Sequence, residues 1–414
     1  MASPSELTRR ELLGVAAAGV AAVAGCSPGQ ATSPGSPTGA VVRARLQLWT
    51  DRVRAEPLAR LTETFQAERG VEVDIVAKEP DQITGDFLAQ VVEGTGPDLV
   101  LVGHDRIAEL VTAGLLAPVN LDDLGDVLLP VASQAFEHQG ENYGLPVGLE
   151  NIALLRNDDL TGARPGVWDE LLAEHLDMPV ALPQSANGDP YHAYPFQASF
   201  GAPLLAGYAD GAPELGLGGA PGAQFATWLQ DHGDLGSGAL SLAMTEEAAM
   251  QAFVAGTVPF LVAGPWRLAE LSQTDIRLSS LPLPTAGGQP PTAFVGVHGA
   301  VVSAESANQD LAQEFLIEYL ASDGAQLALH SATGRSPALR NASELLGAED
   351  AVAAGFTQVA ASGVSLPSRQ IMAALMPPWG QTQADLVTGA ASDPGAAWVT
   401  MVARMEHALL ADTV

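Results

Sequence analysis

The polar residues best placed for chemistry fall in a few short runs. Gly103-His104-Asp105-Arg106 closes an apolar strand-like segment that begins at Asp98, so a carboxylate and a guanidinium stand at the end of a buried strand. Such a pair offers acceptors and a planar donor fork, the groups a polyhydroxy ligand needs. Asp105 is equally suited to cap the helix that follows. Glu150 is the one acidic residue in the extended, largely apolar stretch Tyr143 to Arg156. Burying a lone carboxylate is costly, and either an arginine partner or a ligand would answer that cost. Asp189-Pro190-Tyr191-His192-Ala193-Tyr194 joins a carboxylate to two aromatics where a loop enters a helix. Asp51, Arg52 and Arg54 follow the first strand, where they face the same cleft or serve as surface charge.

Gly264-Pro265-Trp266 and Pro377-Pro378-Trp379 set tryptophans beside rigid turns in a chain only 5% aromatic. Rings so placed can cover the C–H face of a sugar while charged groups take its hydroxyls, although aromatic stripes more commonly build cores. Other chemistries fit less well. His104 and His138 have no metal-ligand spacing, so no metal site is expected. Neither a Walker A sequence nor a G-x-G-x-x-G between strand and helix occurs, which argues against a nucleotide site or any other cofactor. Glu150 and Asp189 could be posed as the acid and base of a glycoside hydrolase, but that role requires a defined separation that sequence does not supply.

The elements that must position these residues alternate. Arg45 to Trp49 reads as a strand, and Glu56 to Arg69 as a helix with Leu58, Leu61 and Phe65 near one face and Gly70 as its stop. Val71 to Ala77, a helix from Asp81 to Val92, and Asp98 to Val102 complete a βαβαβ run, which implies a parallel sheet with ligands gathering at the carboxyl ends of its strands. Val180 to Pro284 repeats the alternation. The expected class is α/β with two lobes, each a mainly parallel sheet flanked by helices. Residues 45–148 with 300–347 form lobe I, 153–294 with 352–414 form lobe II, and 149–152, 295–299 and 348–351 cross between them. Several crossings allow rotation but not separation, as in binding proteins that close on a ligand.

The chain has 414 residues, enough for two domains. Its 18 Lys and Arg against 48 Asp and Glu give a formal charge of −30, the opposite of a nucleic-acid footprint. Residues 1–25 read as a signal peptide: a paired-arginine segment Thr8-Arg9-Arg10-Glu11, then 14 apolar residues from Leu12 to Gly25, too short for a membrane span. Val23-Ala24-Gly25-Cys26 resembles a bacterial lipobox, which makes Cys26, the single cysteine, the expected lipid attachment point. Residues 26–44, rich in Ser, Pro, Gly and Thr, are a tether holding a monomeric body off the membrane.

From Leu46 to about Ala403 the chain resembles the maltose/maltodextrin-binding proteins that serve ABC importers. The stretches that carry the resemblance are Gly103-His104-Asp105-Arg106 with Ala113-Gly114-Leu115-Leu116-Ala117, Tyr143-Gly144-Leu145-Pro146 through Glu150, Asn157-Asp158-Asp159-Leu160, Gly264-Pro265-Trp266, Phe294-Val295-Gly296-Val297 and Ala312-Gln313-Glu314-Phe315-Leu316 with Tyr319-Leu320. The resemblance implies a periplasmic-binding-protein-like fold, an oligosaccharide ligand and an ABC permease partner, without bond chemistry. It implies sugar contacts from Asp51, Arg52, Asp105, Arg106, Glu150 and Asp189, and stacking from Tyr191, Trp266 and Trp379. It leaves undecided whether Arg52 or Arg54 lines the cleft. Where those proteins commonly place a tryptophan before His-Asp-Arg, this chain has Val102 and Gly103, so one stacking surface is missing and a different or shorter glucoside, such as trehalose, fits the pattern.

Overall fold

Strand β1 (Ala44–Asp51) turns Leu46 and Leu48 into one core and Trp49 into another, as period-two alternation requires of a strand covered on both faces. Asp51 ends it and caps α1 (Arg52–Arg69), accepting the N–H groups of Val53 and Arg54 at 3.0 Å, and Gly70 stops that helix at φ 68°. There follow β2 (Val71–Lys78), α2 (Pro80–Val92), β3 (Leu99–Gly103), the short β4 (Leu116–Ala117), β5 (Leu145–Glu150), β6 (Ala153–Asn157), β7 (Val180–Ala181), α3 (Pro190–Ser199), α4 (Gly219–His232), β8 (Phe260–Ala263), β9 (Leu278–Leu281), β10 (Phe294–Ser303), α5 (Ala351–Ala361), β11 (Val364–Ser365), α6 (Arg369–Val387) and α7 (Pro394–Ala411). This computed structural model describes residues 44–121, 124–173, 178–209 and 212–411. The signal segment, Cys26 and the tether up to residue 43 lie outside the described residues.

Two sheets organise the body. The first has the order β11-β10-β3-β1-β2, with β4 and β5 also paired to β10, and the second the order β9-β6-β8-β7. In the first, β1 lies parallel to β2 and β3, while β10 runs against β3, β4 and β5. In the second only β7 and β8 are parallel, and β6 runs against both neighbours. The second sheet is therefore not mainly parallel, and the reason is local. Only Asn151 and Ile152 separate β5 from β6, so β6 enters the second sheet straight from the first, and its direction there is fixed by that passage. The strands that pass between the sheets enter from the hinge end and oppose those built within each lobe.

Apolar side chains sort accordingly. The first sheet carries one core around Leu46, Phe65 and Phe315 and another around Trp49, Phe87 and Phe136. The second shares a single large core that holds Trp168, Phe225, Phe356, Trp379 and Trp398. The chain thus leaves the first sheet at β5, returns at β10, leaves again for α5, touches the first sheet at β11, and ends in helices packed on the second core.

His104 fastens these passages. Its Nδ1 accepts the Val297 N–H at 3.0 Å, and its Nε2 lies 2.9 Å from both the Leu366 carbonyl and the Ser365 hydroxyl. Burial, outweighing Asp105 and the two backbone contacts, pushes the imidazole below the ordinary histidine range. The neutral ring, donating from Nε2 to Leu366, ties the end of β3 to β10 and β11. His104 is thus a structural fastener.

Candidate ligand cleft

A pocket of about 700 Å³ lies where the two sheets face each other, with Asp51, Arg54, His298 and Arg335 on one wall and Pro265 and Trp266 on the other. The carboxyl end of β1 delivers Asp51, and one turn of α1 brings Arg54 back onto it, where the two side chains form a short ion pair. Arg54 is 7% exposed, and its Nη2 has no hydrogen-bond partner among the described residues. Burial and then the nearby Arg335 work against its charge, while Asp51 and Glu150 support it. Arg52 points the other way: its side chain is 80% exposed and bonds Glu79 at 3.1 Å. Both arginines line the pocket, Arg54 at the inner wall and Arg52 at the rim.

Glu150, at the end of β5, meets groups from distant parts of the chain. Arg335 reaches its Oε2 through Nε at 2.7 Å and Nη2 at 2.6 Å, and His298 on β10 places Nε2 3.2 Å from Oε1. Burial alone would raise this carboxyl, but His298 and Arg335 reverse the sign and hold it below the usual carboxylate range. His298 itself is pushed down by burial against the pull of Glu150, with Arg335 and Arg54 lowering it further. Glu150 is therefore an ionised acceptor with two partners in place.

The opposite wall carries one aromatic ring, Trp266. Trp266 follows β8 in a short turn opened by Pro265, is 36% exposed, and donates Nε1–H to Glu246 at 2.6 Å, which fixes the ring. Tyr191 and Asp189 are not among the residues lining the pocket; the Tyr191 ring packs on the second core, 6.3 Å from Trp266 and 6.3 Å from Phe294. Burial, with the charges of Glu150 and Asp189, raises the Tyr191 hydroxyl well above the ordinary phenol range and keeps it protonated, able to donate. Asp189 caps α3: it accepts the His192 N–H at 3.1 Å and meets His192 Nδ1 at 2.7 Å. The backbone before it is pressed on α6, since a Cβ on Gly188, at φ +74°, would lie 2.1 Å from the Gly380 carbonyl. At the mouth, Lys78 lies 3.9 Å over the Trp49 ring and bonds Asp86 at 2.5 Å.

Asp105 and Arg106 do not join this pocket. They line a smaller recess of about 280 Å³ whose facing residues are Ser368, Arg369, Gln370 and Ala373, with no aromatic ring. Arg106 bonds Glu109 at 3.3 Å and stands 3.9 Å from Asp105. A Cβ on Gly103 would meet the Asp105 carboxylate at 2.4 Å, and Val102 is buried in the core, so neither position offers a stacking face. Trp379 requires a correction. It is fully buried, its Nε1 donates to Gln197 at 3.0 Å, and its ring packs edge-on against Tyr194. Pro377 and Pro378 form no turn but lie inside α6, and that helix turns the indole into the second core.

Three contributors escaped the sequence reading: Arg335, His298 and Lys78. None carries a local motif. A usable signal was rarity, for Lys78 is the single lysine of the chain and Arg335 one of 17 arginines.

Two lobes, several crossings and a charged cleft with Trp266 on one wall define the architecture of a ligand-closing binding protein. Residues 60–355 match the family described as bacterial extracellular solute-binding protein, and the chain belongs to that family. It is similar to the maltotriose-binding protein of Pyrococcus abyssi, 25% identical over 340 residues, covering 75% of this chain and 70% of that protein. It is likewise similar to the galactooligosaccharide-binding protein of Bacillus subtilis, 24% identical over 345 residues (77% and 78%). A third relative is the maltooligosaccharide ABC transporter solute-binding lipoprotein of Streptococcus pneumoniae, 23% identical over 399 residues (91% and 92%). Among solved structures, a cyclo/maltodextrin-binding protein complexed with maltotetraose matches with TM-score 0.78 and 26% identity, covering 88% of this chain and 96% of that one. The Thermus thermophilus maltotriose-binding protein with maltotriose matches with TM-score 0.72 and 28% identity (88% and 100%).

Proposed function

We propose that this chain is the extracytoplasmic receptor of an ABC importer, held to the outer face of the membrane by a lipid on Cys26, and that it closes on a maltodextrin-type oligosaccharide and passes it to the permease. One observation supports the reading: Trp266 lies opposite Asp51, Arg54 and Arg335 in the pocket between the sheets, with Glu150 held behind Arg335. A sugar seated there touches both lobes, and only contacts made to both favour the closed state over the open one. The names of the relatives support an oligosaccharide, and their spread from maltotriose to galactooligosaccharide leaves the sugar to this chain's own residues. The aromatic-free recess at Asp105 and Arg106 favours a short ligand, trehalose among them.

Glu150 does not suit the role of a hydrolytic acid. A hydrolytic acid needs a proton to give, and the contacts of Glu150 hold it ionised. Calorimetric titration of the purified full chain with maltose, maltotriose and trehalose, alongside an assay for released monosaccharide, tests the reading. Saturable heat from one site without product is the expected result, and product release would overturn it.

A further inference from the structure

The charged groups that line the large pocket already have partners. Each of its cations, Arg52, Arg54, Lys78 and Arg335, holds a carboxylate. Asp350 caps α5 by accepting the N–H groups of Val352 and Ala353 at 2.8 and 3.0 Å, and Trp266 gives its indole N–H to Glu246. The two histidines in the wall are engaged on one side only. His330 donates from Nδ1 to the Arg335 carbonyl at 2.9 Å, and His298 meets Glu150 through Nε2.

His298 is the better placed of the two. It stands on β10, a strand that crosses between the lobes, and its partners in the sheet are Gly103 on β3 and Gly148 on β5. Residues paired in this way turn to the same face about 5 Å apart, and neither glycine has a side chain to crowd the imidazole. The place of a Gly148 side chain borders Arg335, 3.5 Å from its Cβ, and the place of a Gly103 side chain is taken by the Asp105 carboxylate. His298 thus lies between the inner wall of the large pocket and the recess that begins at Asp105. An ionised carboxylate can only accept, so the bond to Glu150 is donated by Nε2–H, and burial, against the pull of Glu150, keeps the ring from taking a second proton. Nδ1 is then a bare acceptor. It makes no hydrogen bond among the described residues and is not sealed from water, and the side chain is 21% exposed.

We propose that His298 is a ligand-contacting residue that sets specificity: its Nδ1 accepts a hydrogen bond from a hydroxyl of the bound sugar, at the step from the large pocket to the recess. This rests on the sugar-binding reading above and narrows it to sugars that present a free hydroxyl donor at that point.

The test is calorimetry on the full chain with maltose, maltotriose and trehalose at about pH 8, where an imidazole is neutral. His298→Asn leaves an oxygen acceptor near the place of Nδ1 and gives up the contact with Glu150, whereas His298→Gln keeps a donor for Glu150 and loses the acceptor at that place. Affinity for the preferred sugar should fall about fivefold in His298→Gln and in His298→Phe and stay near its original value in His298→Asn, with melting curves reporting whether each variant folds. Loss in folded His298→Asn overturns the inference, and with His298→Gln unimpaired it shows a residue that acts only by holding Glu150. Retention in folded His298→Phe overturns it as well. A second arm needs no variant: monodeoxy and deoxyfluoro forms of the preferred sugar are titrated against the unaltered chain. At least one position should lose about fivefold in both forms, since fluorine cannot donate a proton. Recovery by fluorine at every position overturns the inference and leaves the sugar reading standing. Silence of the unaltered chain with all three sugars overturns both.

Discussion

The large pocket and the smaller recess contain the same kinds of groups, carboxylates beside guanidiniums at strand ends, and hold them differently. In the pocket, Glu150 meets Arg335 twice below 2.8 Å and His298 once, while Asp51 is fixed by two backbone donors as well as by Arg54. Each group has its orientation set by something other than a ligand. In the recess, Asp105 and Arg106 stand 3.9 Å apart on one turn, and Arg106 leans on the exposed Glu109. Side chains already fixed lose little freedom on binding, whereas loosely held ones must be ordered by the ligand. The pocket is thus expected to supply most of the affinity and the recess to adjust it.

That contrast can be broken first at Glu150. Glu150→Gln leaves the Arg335 guanidinium without its carboxylate, and urea unfolding should show a loss of about 2 kcal/mol, less than for a fully enclosed pair because the glutamate keeps some water contact. An unchanged midpoint would mean that the pocket is no more rigid than the recess.

Acid acts at two places, the His104 fastener and the Glu150 network. His104 is held below the ordinary histidine range, so the unfolded chain takes up a proton first and stability should fall as pH drops below about 6.5. Glu150 is held below the usual carboxylate range, so its contribution is complete above about pH 4.3 and is lost as pH falls further. Urea midpoints at stepped pH should decline in both intervals, and in Glu150→Gln the lower one should flatten.

A smaller effect is expected at Trp266. Trp266→Ala should weaken binding of the preferred oligosaccharide by about tenfold, in keeping with an aromatic anchor, and shift the melting temperature little because the ring is 36% exposed. The least is expected of Asp105→Asn, about threefold in affinity and within about 0.5 kcal/mol in stability. A larger loss there than at Trp266 would reverse the ranking of the two regions.

Legibility in the sequence followed the range of the contacts. Asp189 before Pro190 opens a helix where the sequence places it, whereas Asp51 caps a helix that starts at Arg52, four residues before the Glu56 read from the sequence, and the helical turns around Asp105 have no side-chain cap bond. The two lobes were legible from alternating strands and helices. The antiparallel course of β6 was not, because strand direction is set by the chain's route through the hinge, not by its composition. Glu150 stood out as a carboxylate in apolar sequence, but its partner Arg335 lies 185 residues on, and nothing near Arg335 announces it. Trp379 misled because two prolines usually end a helix, whereas here they are accommodated within α6 and the packing of that helix decides where the indole points.

Lys78 is the single lysine of the chain, and it sits at the mouth of the pocket with its ammonium over Trp49 and its side chain 16% exposed. Reagents that acylate primary amines therefore find one side chain on the whole surface of this protein, and it borders the ligand site. A dye attached there would report occupancy of the cleft without an engineered cysteine, and the rate of its attachment would itself record whether the mouth is open or covered.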